Sequence, residues 1–168
     1  VVEIDPAVVP VAYQSFRLPV DESRIRIVLA DGADFVANDQ RRYDLILVDG
    51  FDARAKTGRL ESESFYLACQ QRMSDAGLTV VNYLTRRRTW GVNLDRLHRA
   101  FAGRALCFPS CDSGNAVAFA AYGDTVRESA TELKATALAL RQETGLNLLP
   151  TLARLTQVGM FEEGVMTL

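Results

Sequence analysis

Short runs rich in Val, Ile and Leu alternate along this chain with stretches whose apolar residues recur at helical spacing. This alternation limits the fold strongly, because each crossover between parallel strands needs a long connection, usually a helix, and strands covered on both faces are continuously apolar. The sequence therefore predicts an α/β fold on a mostly parallel sheet. Strands are expected at residues 1–4, 24–29, 43–48, 78–83, 105–108 and 116–122.

Helical patterns occupy the gaps between the predicted strands. Pro6 suits the first turn of a helix, Ser62 begins a capping pattern, and Gly145 suits a helix C-terminus. Helices are expected over residues 7–16, 32–38, 62–74, 93–102, 125–144 and 146–158.

The turn-rich residues 112–115 separate the last two predicted strands. We expect those strands to form an antiparallel hairpin at the edge of the sheet, which makes the sheet mixed. No internal repeat, low-complexity tract or linker interrupts the chain, so we predict a single α/β domain over residues 1–168. Its core is expected at 1–122 and a C-terminal helical extension at 125–168.

Composition excludes several classes of function. The 19 basic and 21 acidic residues give a net charge of −2, which disfavours binding to nucleic acid. No apolar run approaches the roughly 20 residues that a membrane span needs, so no membrane partner is expected. Cys69, Cys107 and Cys111 lack the spacing of a zinc site or a disulfide framework. We therefore expect no metal, a cytoplasmic protein, and a buried, unreactive Cys69.

The chain opens on Val1 within a strand pattern and has no initiator Met. We expect it to begin inside the fold. An open α/β sheet that lacks its earlier strand and helix would expose a long apolar edge.

Acidic residues follow three successive predicted strands. In open parallel sheets ligands bind beyond the carboxyl ends of the strands, so these side chains are candidates for a site. Glu3 could accept both hydroxyls of a ribose, whereas Asp5, just before Pro6, fits a helix cap. Asp31 could accept a proton donor such as the exocyclic amine of adenine, or it could cap the short helix that follows.

Asp49 and Asp52 give the sharper signal, because both follow the apolar run 45–48, which we expect to be buried. Two carboxylates can hold an ammonium group, and one of them can take its proton so that the amine becomes a nucleophile. A solvated loop is the alternative. Asp44 lies at the other end of the same strand and is expected to be far from the site.

Taken in order, several segments form a recognisable set. They are Val2-Glu3-Ile4-Asp5-Pro6, Asp31-Gly32-Ala33, Tyr43-Asp44-Leu45-Ile46-Leu47-Val48-Asp49 with Asp52, Leu60-x-Ser62-x-x-Phe65-Tyr66, and the strand after Gly77. In order and spacing the set resembles the spermidine/spermine synthase family of aminopropyltransferases, and the resemblance covers residues 1–122.

The resemblance implies a class I methyltransferase-like (Rossmann-like) fold that binds decarboxylated S-adenosylmethionine. The aminopropyl group would pass to a polyamine or other amine acceptor such as putrescine, without a metal, and the protein could form a homodimer. Carried over by position, the cofactor-binding residues would be Glu3 for the ribose and Asp31, Gly32 and Ala33 for the adenine. The catalytic residues would be Asp49, which also holds the substrate amine, and the base Asp52, with Tyr66 near the substrate pocket.

Two other interpretations remain open. An S-adenosylmethionine-dependent methyltransferase shares the fold and the ribose-binding acid, but it does not need Asp52. A truncated, non-catalytic synthase-like domain is the second, because the Gly-rich cofactor loop of the family lies upstream of the strand at residues 1–4 and is absent from this chain. Arg86, Arg87 and Arg88 would oppose a polycation by repulsion, and we expect them in a solvated loop.

Overall fold

The structure is a computed structural model that describes residues 1–20, 23–52, 54–109 and 114–168. Its strands are β1 (Val2–Glu3), β2 (Val28–Leu29), β3 (Tyr43–Val48), β4 (Met73–Leu84), β5 (Ala105–Cys107), β6 (Asn115–Ala121), β7 (Arg127–Ser129) and β8 (Val165–Thr167). Its α-helices are α1 (Val8–Phe16), α2 (Gly32–Asn38), α3 (Glu63–Gln71), α4 (Trp90–Ala100), α5 (Ala130–Thr144) and α6 (Leu149–Gln157), and a 3₁₀ segment spans Gly58–Glu61.

The strands form three hydrogen-bonded groups within the described residues. The largest has the order β3-β4-β6-β5, in which β3 runs parallel to β4 and the other neighbours are antiparallel. β1 and β2 form a separate parallel pair, and β7 pairs with β8 in antiparallel fashion. The sheet is therefore mixed, and β5 with β6 forms the antiparallel edge that the sequence predicted.

The core lies where α3 and α4 pack on the four-stranded sheet. Tyr66, Met73, Tyr83, Leu97 and Phe101 are all fully buried there. The Ser62 hydroxyl accepts the N–H of Phe65, a side-chain cap that fixes where α3 begins.

The expectation of a buried run at residues 45–48 is wrong for two of its members. Leu45 is 51% exposed and Leu47 is 69% exposed, whereas Val48 is buried. The reason is that side chains alternate between the two faces of a strand, so that Ile46 and Val48 face the core whereas Leu45 and Leu47 point to the opposite, uncovered face.

Several element boundaries also differ from the expectation. The predicted strand at 24–29 shrinks to Val28–Leu29, and β4 begins at Met73, which ends α3 earlier than predicted. The extension beyond residue 125 contains the short strands β7 and β8 as well as helices, because the two strands pair with each other across the helices. Ser129 and Glu132 then form a capping box that starts α5.

Two sequence predictions concern residues outside the described ranges. Cys111 and the turn at residues 112–113 fall there. Within the described part of the chain, no helix combines the length and apolar character that a membrane span requires.

Candidate active site

A cleft of about 670 Å³ opens between the β1-β2 pair and the free edge of β3. The cleft runs along the whole length of these strands. Glu3, Gly32, Asp49, Gly50 and Leu60 line it at the carboxyl ends of the strands, and Arg26, Arg41 and Tyr43 line the opposite end. The carboxyl end is the position at which open α/β sheets bind ligands. Of the site residues predicted from the sequence, Glu3, Gly32 and Asp49 belong to this lining, whereas Asp31, Ala33, Asp52 and Tyr66 do not.

Glu3 ends β1 with its side chain half-buried. Its Oε1 accepts the N–H of Asp5 at 2.8 Å, which orients the carboxylate. Asp5 is exposed and its Oδ1 accepts the N–H of Ala7 at 2.8 Å, in the turn that leads into α1. This contact agrees with the proposed role of Asp5 in capping the start of a helix, although the residue at the N-cap position of α1 is Ala7.

Asp31 caps α2. Its Oδ1 accepts the N–H of Ala33 at 2.7 Å and that of Asp34 at 3.3 Å. Asp31 Oδ2 lies 3.7 Å from Nη1 of Arg59, and the side chain is about one-third exposed. The cap and a ligand contact can therefore coexist, because they use different oxygens of one carboxylate.

The side chain of Leu60 packs against both Gly32, at the start of α2, and Gly50, which follows β3. A Cβ on residue 50 would lie 2.5 Å from Leu60 Cδ1, and one on residue 32 would lie 3.3 Å from Leu60 Cδ2. Only glycine leaves room for the Leu60 side chain at position 50 without a shift. The 3₁₀ segment is thus packed against the starts of both loops that carry acidic residues.

Asp49 is exposed at the end of β3, and its Oδ1 accepts Nδ2–H of Asn82 at 2.9 Å. The contact follows from the parallel register, in which Val48 is opposite Val81. Asn82 Oδ1 is buried and has no hydrogen-bond partner among the described residues. Asn82 falls near the end of the strand predicted at 78–83, but nothing in the sequence connects it with Asp49.

Asp52 organises the turn after β3. Its Oδ1 accepts the N–H groups of Arg54 and Lys56, each at 2.8 Å. The hydrogen bond from Lys56 N–H, followed by that from Arg54, keeps the pKa of the Asp52 carboxyl below its usual value. Asp52 is exposed and, among the described residues, it does not belong to the cleft lining.

Tyr66 lies in the core and not on the cleft wall. It is fully buried, and its hydroxyl shares a 2.9 Å hydrogen bond with that of Tyr83. Burial raises the pKa of both phenols above the usual range. Cys69, on the same helix, is also fully buried, and burial raises the pKa of its thiol to about 12, as expected of an unreactive cysteine.

The described residues contain no cluster of three or more His, Cys, Asp or Glu side chains able to hold a metal ion. Most of the side chains that line the cleft are apolar, such as Val28, Phe35 and Leu47, and its two carboxylates are those of Glu3 and Asp49.

Comparison with known proteins identifies the family. The model of the spermine/spermidine synthase domain matches residues 1–85, half of the chain. A polyamine aminopropyltransferase of Neisseria meningitidis serogroup A is 31% identical over 146 residues, which cover 87% of this chain and 56% of that protein. The chain belongs to the spermine/spermidine synthase family. It spans about half the length of the curated relatives it matches.

Solved structures agree with this family and with its fold. A spermidine synthase solved in complex with the transition state analogue AdoDATO matches with a TM-score of 0.61 and 25% identity, over 73% of this chain and 45% of that one. Human methyltransferase-like protein 13, solved with SAH, matches with a TM-score of 0.68 and 22% identity, over 90% of this chain and 69% of that one. The class I methyltransferase-like fold is thereby confirmed.

Two charged contacts are not predicted by the sequence pattern or by the family. Arg59 lies 2.7 Å from Asp34, on α2. Arg87, the middle residue of the Arg run, lies 3.4 Å from the largely buried Glu61, whereas Arg86 and Arg88 are exposed. The solvated loop predicted for the run therefore describes two of its three members. The residues of each contact are more than 20 positions apart, so no local pattern predicts them.

Proposed function

We propose that this chain carries the donor site of an aminopropyltransferase, in which decarboxylated S-adenosylmethionine gives its aminopropyl group to a polyamine such as putrescine. The observation that carries the proposal is that Glu3 and Asp49, from separate strands, line one cleft at the strand ends. The names of the relatives support it. The Neisseria relative is a polyamine aminopropyltransferase, and a spermidine synthase was solved with AdoDATO.

The nucleoside half of the donor fits the β1-β2 side of the cleft. One oxygen of Glu3 accepts the N–H of Asp5, and the carboxylate retains lone pairs for the two ribose hydroxyls. The adenine lies beside α2, where Asp31 Oδ2 accepts from the exocyclic amine and Gly32 and Ala33 form the backbone floor. The volume of about 670 Å³ is within the usual range for small-molecule sites.

The reacting groups lie on the β3 side. The acceptor nitrogen attacks the aminopropyl carbon bonded to the sulfonium, a C–N bond forms, and the C–S bond breaks with its electron pair left on sulfur. The products are a secondary amine and neutral 5′-methylthioadenosine. Asp49 holds an ammonium group, and the nitrogen loses one proton, which we assign to Oδ2 of Asp52 because the turn uses Oδ1.

Positioning is the main demand of such a displacement, since no covalent enzyme intermediate is needed. Asn82 holds Asp49, and the main-chain N–H groups of the turn hold Asp52. The acidic side chains also give the positively charged donor and acceptor a favourable field.

Calorimetric titration with 5′-methylthioadenosine and with decarboxylated S-adenosylmethionine tests the proposal. We expect both ligands to bind and Glu3→Gln to weaken both by about tenfold or more, because hydrogen bonds to a carboxylate are lost. The control is Glu63→Gln, which neutralises a glutamate on α3 that pairs with Arg99 away from the cleft lining. Absence of binding to the folded chain, or equal binding by Glu3→Gln, would refute the proposed site.

A further inference from the structure

Arg59 connects the 3₁₀ segment with the start of α2 beside the cleft, although neither Arg59 nor Asp31 belongs to the cleft lining. It belongs to the 3₁₀ segment, and its Nη2 lies 2.7 Å from Oδ1 of Asp34 on α2. Its Nη1 lies 3.7 Å from Oδ2 of Asp31. The next residue, Leu60, lines the cleft and packs against Gly32.

The contact between Arg59 and Asp31 is not a hydrogen bond, because 3.7 Å exceeds the usual N···O distance. Asp31 Oδ1 accepts main-chain N–H groups, so Oδ2 is the oxygen directed towards Arg59. One acceptor and one N–H donor therefore lie side by side next to the cleft residues Gly32 and Leu60, and neither is satisfied by the other.

This arrangement complements one class of nucleobase. Adenine presents an exocyclic N–H donor next to a ring nitrogen acceptor, whereas hypoxanthine has a carbonyl acceptor in place of the amine. We propose that Arg59 is a specificity-determining residue, which donates to the adenine ring nitrogen while Asp31 accepts from the exocyclic amine. The inference rests on the proposed function, since it concerns the base of the same nucleoside.

Asp34 gives Arg59 its position. The hydrogen bond from Arg59 keeps the pKa of the Asp34 carboxyl below its usual value, so the pair stays charged at neutral pH. Because the guanidinium is planar, the contact of Nη2 with Asp34 also fixes the direction of the other N–H groups of Arg59. The ammonium group of a lysine has no such fixed plane.

The test compares 5′-methylthioadenosine with 5′-methylthioinosine by calorimetric titration of the 168-residue chain. For the unaltered chain we expect at least tenfold preference for the adenine nucleoside. Arg59→Met should weaken binding of the adenine nucleoside about tenfold and leave the inosine analogue nearly unchanged, so the preference falls about tenfold and the part that Asp31 provides remains. Arg59→Lys should restore only part of it, and Asp34→Asn should reduce it.

Arg88→Met is the matched control, because Arg88 is an exposed arginine beyond β4 and outside the cleft lining. It should leave the preference unchanged, and circular dichroism establishes that each variant is folded. If the chain binds the adenine nucleoside but Arg59→Met keeps the full preference, the role of Arg59 is refuted and the nucleoside site stands. If the folded chain binds neither nucleoside, both proposals fail.

Discussion

The carboxylates at the strand ends differ in what their oxygens already accept. Glu3, Asp5, Asp31 and Asp52 each accept the main-chain N–H two residues further on, within their own turns. Asp49 instead accepts from a side chain of the neighbouring strand. Asp49 is therefore the acid whose orientation depends on tertiary structure, and Asn82 is the residue that sets it.

Replacing Asn82 by Leu should lower the rate of the proposed transfer about tenfold, because the Asp49 carboxylate loses its only hydrogen bond from the neighbouring strand among the described residues. The measurement is kcat and KM with the thermal unfolding midpoint. Ser74→Ala is the control, since it removes a comparable 2.6 Å hydrogen bond to Asp44 at the other end of β3. An equal loss of rate in both variants would count against a positioning role for Asn82.

Asp39 gives a prediction about pH. Hydrogen bonds from Arg41, and then from Tyr43, keep the pKa of the Asp39 carboxyl far below its ordinary value. A lowered folded-state pKa stabilises the fold above the ordinary pKa of about 4, and this stabilisation is lost as the pH falls through the folded-state value. Asp39→Asn should therefore lower the melting temperature at pH 7, and the difference should shrink progressively below about pH 4. A constant difference from pH 7 to pH 2 would contradict this.

At the scale of elements, the helices and strands whose bounds were predicted correctly are those determined by residues close in the sequence. The helix at 32–38 was predicted with its observed bounds, because Asp31 caps its first turn. β3 was also predicted with its bounds, from its Val, Ile and Leu content. β7 and β8 were missed, because three-residue strands paired across 36 or more positions have no periodicity to detect.

The same argument applies to the site. Glu3, Gly32 and Asp49 could be predicted because chain position relative to a strand end determines which crevice they line. The contacts of Arg59 with Asp34 and of Asn82 with Asp49 could not, since they depend on strand register and on the path of the loop between them. The exposure of Leu45 and Leu47 was missed for a related reason, because apolar content does not reveal which face of a strand is left uncovered.

Gly123 follows β6, and its main chain lies close to the main chain of Asp75 in β4. Its φ is +95°, and a Cβ there would overlap the carbonyl oxygen of Asp75. Gly123→Ala should cost at least about 3 kcal/mol of unfolding free energy, because the backbone conformation is unfavourable and there is no space.

Gly145→Ala is the matched control for that substitution. Gly145 also has a positive φ, of +78°, but a Cβ there would meet no atom within 4 Å. It should cost about 1–2 kcal/mol from the backbone conformation alone. Denaturant unfolding measures both variants, and equal losses would show that the approach to Asp75 does not matter.

At the scale of the whole molecule, the cleft separates the parallel β1-β2 pair from the four-stranded sheet. Glu3 belongs to the β1-β2 pair and Asp49 follows β3, so a ligand that contacts both would connect groups of strands that share no ladder hydrogen bonds within the described residues. The proposed substrate position therefore depends on how the two groups of strands are placed relative to each other, and neither group alone determines it.

The most direct test of the proposed transfer is to measure the formation of its two products. The chain is incubated with putrescine and decarboxylated S-adenosylmethionine labelled in the aminopropyl group, and mass spectrometry follows the labelled triamine and 5′-methylthioadenosine. We predict equal amounts of the two products, at least a hundredfold less with Asp49→Asn, and no loss with Asp44→Asn, which neutralises an aspartate at the other end of β3. Nucleoside binding without labelled triamine, or transfer that survives Asp49→Asn, would contradict the account.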